Sequence, residues 1–161
     1  MPDEITPTSQ VSEQDKTAFF KSFLSDTPFE SEDSLFDGKI KIKFKSLTVE
    51  EASDVFDQLR LDQDLGAIIN DSSYVMALTR YRLALSIASI NGEPFVPEAT
   101  KEAYTTDSFK ASHYVKVKAT SLEKWSVFKL SAFAEAFKNF EDKVVLLTKA
   151  ITDPSFWPAD K

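Results

Sequence analysis

The stretch GKIKIKFKSL, Gly38 to Leu47, constrains the fold more than any other part of the chain. Ile40, Ile42 and Phe44 alternate with Lys39, Lys41, Lys43 and Lys45. A period of two puts the apolar side chains on one face of an extended strand and the lysines on the other, so a half-buried β-strand is predicted. Asp37-Gly38 just before it is a two-residue hairpin signal, which predicts that Asp33 to Phe36 pairs with it as a short antiparallel strand. The lysine face carries no interleaved aromatic residues to stack bases. It reads as a solvated outer face that also discourages edge-to-edge aggregation.

Beyond the hairpin the periodicity is helical. Thr48 and Glu51 have capping-box spacing, in which each side chain satisfies an orphan backbone N–H, and Ala52, Val55, Phe56 and Leu59 follow as an apolar face. Leu61, Leu65, Ile68 and Ile69 form a second short amphipathic stretch past a break near Gly66. Asn70 to Ser73 supplies caps for a helix over residues 74–90, apolar on more than one face and so expected to be central. Asn91-Gly92 is read as its left-handed C-terminal stop, with Pro94 blocking continuation and Phe95 folding back as the hydrophobic contact of the cap. PEATKEAY predicts a short helix. SHYVKVKATS, residues 112–121, fits a strand by its Val/Lys alternation and equally the start of a helix. Residues 121–151 are helical in pattern, with a break expected near Lys129 to Ser131, and DPSFWPADK closes as a non-helical tail.

The net charge of −7 is unevenly placed. Residues 1–37 hold nine acids against Lys16 and Lys21, whereas the rest is balanced at 17 acids and 17 bases. Residues 1–15 are therefore expected to be a disordered acidic arm, 16–33 a short Phe-rich helix and linker, 34–153 a single globular domain, and 154–161 an aromatic tail. In the arm, Asp15 is the expected N-cap of a helix with Phe19, Phe20, Phe23 and Leu24 on one face. So short a helix is marginal alone. It must dock, on its own domain or on a partner. The expected fold class is mainly α (α+β), a small N-terminal antiparallel β-hairpin packed on a bundle of three to five helices.

The residue inventory argues against catalysis. There is no cysteine and one histidine, His113, while the three glycines are dispersed at 38, 66 and 92, away from any phosphate-cradling pattern. Glu50-Glu51 and Glu141-Asp142 are adjacent acids on predicted helices, where neighbours point apart. No EF-hand run occurs. The expectation is a protein without enzymatic activity, cofactor or metal. No nucleic-acid partner is expected, because no basic stripe is present. No apolar run is long enough to cross a bilayer, and the start of the chain lacks the basic and apolar regions of a secretory signal.

Three features in order carry a family resemblance: the strand-to-helix opening DGKIKIKFKSLTVEE, a helix ending RYRLALSIASINGEPF, and a long amphipathic helix followed by DPSFWPA. Over roughly residues 36–157 the chain resembles the tail assembly chaperones of tailed bacteriophages and the related T4-type baseplate hub assembly proteins. The resemblance implies a chaperone in the bacterial cytoplasm that keeps a helical tape-measure or baseplate hub protein soluble during tail assembly. The alternative it leaves is a permanent tail or baseplate component found in the virion; a third reading, an acidic DNA mimic, fits poorly with the balanced charge of the body. Partner binding is assigned to Phe19, Phe20, Phe23, Leu24, Phe133, Phe137, Phe140, Phe156 and Trp157, and self-association is also expected.

Overall fold

The computed structural model describes residues 11–95, 101–106 and 110–155. Its first helix, α1 (Glu13–Ser25), is capped by Ser12, whose extended backbone lets its hydroxyl accept from the Asp15 N–H at 3.0 Å. The cap is thus Ser12 and not Asp15. Asp15 sits in the first turn and points at the body of the protein, accepting from Ser31 Oγ at 3.1 Å and pairing with Lys143 at 3.1 Å. Val11 and Phe19 belong to the same core as the rest of the chain. The expected arm therefore does not extend through residues 11–15, and the Phe-rich helix docks on its own domain.

The hairpin forms as predicted, but longer and with a different turn. β1 (Glu30–Leu35) pairs antiparallel with β2 (Ile40–Lys45), and a four-residue connection, Phe36 to Lys39, replaces the expected two-residue turn. On its outer face Glu30 is opposite Lys45 and Glu32 opposite Lys43, so the lysine stripe faces a strand of acids. On its inner face Ile42 and Phe44 are fully buried.

α2 (Val49–Asp64) begins with the Thr48/Glu51 capping box and runs unbroken to Asp64. Leu61 lies within it, whereas Leu65 to Ile69 form the turn around Gly66 rather than a second helix. α3 (Asp71–Ser86) is capped by Asn70. It stops four residues short of the expected end, because Ile87–Ile90 is a strand, β3, paired antiparallel with β2. The free edge of β2 needs hydrogen-bond partners, and this segment supplies them. Asn91 and Gly92, at φ 51° and 80°, are the two-residue turn of a second hairpin joining β3 to β4 (Glu93–Pro94), not a helix cap. The Asn91 carboxamide accepts from the Lys41 N–H at 2.7 Å, tying this turn to β2. Phe95 folds back to meet Trp125 at 6.2 Å between ring centroids.

After α4 (Lys101–Tyr104), the Val/Lys alternation settles as a helix, α5 (His113–Thr120), which buries Tyr114, Val115 and Ala119 and packs on α2 and α3. A 3-10 turn, Ser121–Lys124, leads to α6 (Val127–Ala150), capped by Ser126. The break falls at Trp125-Ser126, ahead of the expected Lys129 to Ser131, because Ser126 satisfies the Lys129 N–H and starts the helix there. The fold is mostly helical α+β, with one antiparallel sheet in the order β1-β2-β3-β4. An aromatic layer joins the sheet to α6: Phe44 lies 5.8 Å from Phe137 and 5.6 Å from Phe140. Phe29 stacks on Phe140 at 5.8 Å and meets the edge of Phe19 at 5.6 Å.

Candidate functional site

Helical spacing sets three helix edges beside one another. Ala52 and Phe56 on α2, Leu78 and Arg82 on α3, and Glu141 and Val145 on α6 are each four residues apart, so each pair shares a face. Together with Leu47 they line an apolar groove of two adjoining cavities, about 350 Å³ and about 300 Å³, which share Leu47, Ala52 and Arg82. Phe137 and Phe140 form the floor of the larger one. At the rim Phe56 is 56 % exposed and Val145 48 % exposed.

One ion pair interrupts the groove. Arg82 donates to Glu141, and its guanidinium lies 5.7 Å from the centre of the Phe137 ring. Burial pushes the Glu141 carboxyl above the usual range, and the attraction of Arg82 pulls against it. Both groups retain some solvent contact, so the wall of the groove carries one accessible donor and one accessible acceptor.

The expected binding residues separate into three sets. Phe19, Phe133, Phe137 and Phe140 are buried: Phe19, Phe137 and Phe140 belong to the aromatic layer that joins α1, the sheet and α6, Phe133 packs on Trp125, and Phe137 and Phe140 also floor the groove. Phe20, Phe23 and Leu24 stay on the outer side of α1, the last two at 62 % and 66 % exposure. Phe156 and Trp157 lie outside the described residues. Phe56 was expected in the inward face of α2, and its partial exposure becomes apparent only once α3 and α6 are placed.

A second cluster was not anticipated. Asp54, Gln58 and Asp62 follow one another every four residues along α2, and all three are buried. Asp54 accepts from the Tyr114 hydroxyl at 2.9 Å and pairs with Lys101. Asp62 accepts from the Tyr81 hydroxyl, from Gln58 at 2.9 Å and from Lys116 at 3.3 Å, and Ser112 donates to Gln58 at 3.3 Å. Burial, reinforced by the adjacent carboxylates, pushes both tyrosine hydroxyls far above their ordinary value. They act as proton-holding donors to Asp54 and Asp62. With each carboxylate engaged by several donors, the cluster clamps α5 to α2 and α3 and has the character of a structural latch.

Among the described residues, no three His, Cys, Asp or Glu side chains stand together as a metal-binding group. His113 lies beside Tyr104, 6.3 Å between ring centroids. No described helix is long and apolar enough to cross a membrane. Compared with known protein families, curated protein sequences and solved structures, the chain matches none.

Proposed function

We propose that the protein is a non-enzymatic binding protein whose groove between α2, α3 and α6 takes an amphipathic helix of another protein. The observation that carries this reading is the groove itself, mostly apolar apart from the Arg82–Glu141 pair, floored by Phe137 and Phe140 and edged by half-exposed Phe56 and Val145. Helix-in-groove recognition uses such a surface: apolar anchors spaced at three and four residues enter the cleft while the polar face of the incoming helix stays in water. Joined to the resemblance of the hairpin opening and the long C-terminal helix, this gives a more specific proposal. The client is a helical tape-measure or baseplate hub protein, and the chain is a phage tail assembly chaperone acting in the bacterial cytoplasm.

The test is a pull-down of the tagged chain from cells producing its full native gene set, with wild type and Val145→Glu run together and mature particles assayed for the chain. A long helical protein retained by wild type, lost by the variant, with the chain missing from particles, is the expected result. Equal retention by Val145→Glu would remove the groove from the reading. Presence in particles at fixed stoichiometry would replace the chaperone with a permanent tail component.

A further inference from the structure

We propose that the free edge of β1 holds an extended peptide of another protein as an added strand, in the cleft between β1 and α1. The two edges of the sheet are finished differently. β4 is two residues long and ends on Pro94, which has no N–H to offer, so that edge is blunted. β1 is six residues long and contains no proline. Two contacts fix which of its main-chain groups point outward. The Ser46 N–H donates to the Phe29 carbonyl at 2.8 Å, and the Asn91 N–H donates to the Lys41 carbonyl at 2.7 Å, so Lys41 bonds away from β1. Ser31, Asp33 and Leu35 therefore bond to β2, and Glu30, Glu32 and Ser34 turn their N–H and C=O groups out of the sheet. The Asp33 carboxylate takes the Ser34 N–H at 2.8 Å and closes that end of the edge. Among the described residues, nothing takes the main-chain groups of Glu30 and Glu32. Such a row of open donors and acceptors is a template for one more strand.

The open stretch also has room beside it. Glu30, Ser31 and Glu32 line one side of a cleft of about 900 Å³, and Ala18 and Lys21 of α1 line the other. Sites that enclose small ligands run from roughly 300 to 1,000 Å³, and an added strand lies only about 4.8 Å from the one it pairs with. α1 is pinned by Phe19 on Phe29 and by Asp15 on Lys143. The far wall is thus in place before a peptide arrives, which lowers the ordering cost of binding. No lining residue is shared with the groove between α2, α3 and α6.

The edge selects its occupant by main chain first and by charge second. In an added antiparallel strand, the residues opposite Glu30 and Glu32 lie on the same outer face as those side chains. Neither glutamate has an ion-pair partner among the described residues. Lys43 stands one strand further in and Lys21 belongs to the far wall, so the nearest charges to those two positions are the acids. Lysine or arginine at alternate positions fits them. The residue between turns inward, where Asp33 and Asn139 line an adjoining cavity of about 340 Å³ that shares Ser31 with the cleft, and a hydroxyl side chain suits that wall. A second copy of β1 would set glutamate against glutamate. The chain's own first ten residues carry Asp3 and Glu4 and no base, so they match no better.

The probe is a fluorescein-labelled hexapeptide of alternating lysine and threonine, titrated by anisotropy into the full chain, with amide hydrogen exchange followed by NMR. Saturable binding is expected, with slowed exchange at Glu30 and Glu32 and little change at Ser34, whose N–H is already held. N-methylation of the lysines, whose N–H groups face β1, should weaken binding at least about tenfold, whereas N-methylation of the threonines should leave it within about twofold. Both peptides meet an unaltered protein, so folding is not in question. A glutamate–threonine peptide should bind the double variant Glu30→Lys, Glu32→Lys and not wild type. No binding, an equal effect of the two methylation patterns, or binding that leaves exchange at Glu30 and Glu32 as fast as before would overturn the proposal. Slow exchange at both glutamates in the free chain would overturn it too: at every concentration it would mean that the chain's own first residues fill the edge, and only at high concentration that a second copy does.

Discussion

Two seams of the molecule are held by opposite chemistry. Between the sheet and α6, contact is aromatic: Phe29, Phe44, Phe137 and Phe140 meet ring on ring. Among α2, α3 and α5 it is a polar latch, with Asp54, Gln58 and Asp62 taking hydrogen bonds from Tyr81, Tyr114 and Ser112. The aromatic side gains from every buried ring edge and tolerates small shifts, since dispersion is non-directional. The polar side gains only if each donor finds its acceptor. A single loss there strands a buried group.

Phe44→Ala should give the largest loss, about 3–5 kcal/mol, because a fully buried ring touching two others leaves a cavity in the aromatic layer. A urea denaturation series reads this directly. Asp62→Ala should cost about 2–3 kcal/mol, since the Tyr81 hydroxyl, the Gln58 amide and Lys116 all lose their acceptor together. If Asp62→Ala proved harmless while Phe44→Ala unfolded the chain, the latch would be ornament and the comparison would fail.

Alkali separates the two sides without mutation. Both buried tyrosines keep their protons in the folded chain at pH values where an unfolded tyrosine has released its own. The unfolded state then binds fewer protons, so stability falls as pH rises above about 10 and is unaffected by these groups below it. The expected reading is a urea midpoint that begins to fall near about pH 10 and goes on falling as the pH is raised further. The double change Tyr81→Phe and Tyr114→Phe should flatten that slope. An unchanged slope would mean that the hydroxyls are not buried as described.

How legible each side was in the sequence follows from the same chemistry. The hairpin was visible because Ile and Lys alternate within six adjacent positions, and the capping box of α2 because both partners lie within four residues. The polar latch was hidden because Asp54, Gln58 and Asp62 have the composition of a solvent face, and their partners lie 19 to 60 residues away. Their four-residue spacing beside Val55 and Leu59 was the signal available. The end of α3 was misplaced because Ile87 and Ile90 continue an apolar helix as readily as they make a strand, and Asn-Gly serves both as a helix stop and as a hairpin turn. The open edge of β2, a tertiary feature, decided between them. Half of the groove was legible: Phe137 and Phe140 stood out as aromatics, but the exposure of Phe56 and Val145 depends on how three helices meet.

Gly92 tests that decision. No atom lies within 4 Å of where its Cβ would be, so Gly92→Val meets only the backbone strain of φ 80°. The expected cost is roughly 1 kcal/mol. Asn91 holds β2 through its side chain, so hydrogen exchange at Lys41 should quicken along with the drop in melting temperature. A lower melting temperature with Lys41 still protected would place the strain elsewhere than the turn.

The smallest effect lies on the outer face of the sheet, where neither aromatic packing nor a buried latch operates. Lys43 faces Glu32 across the β1–β2 pair, and both are exposed. Lys43→Glu sets two acids opposite each other and should cost about 0.2–1 kcal/mol. Glu32→Lys in the same chain should recover most of it, and a double-mutant cycle isolates the pair from changes in strand propensity. Because the pair is in water, raising the salt should shrink the coupling, whereas the costs of Phe44→Ala and Asp62→Ala should change little. A coupling that survived high salt would mean that the lysine face is partly covered, and that the sheet has a second buried side.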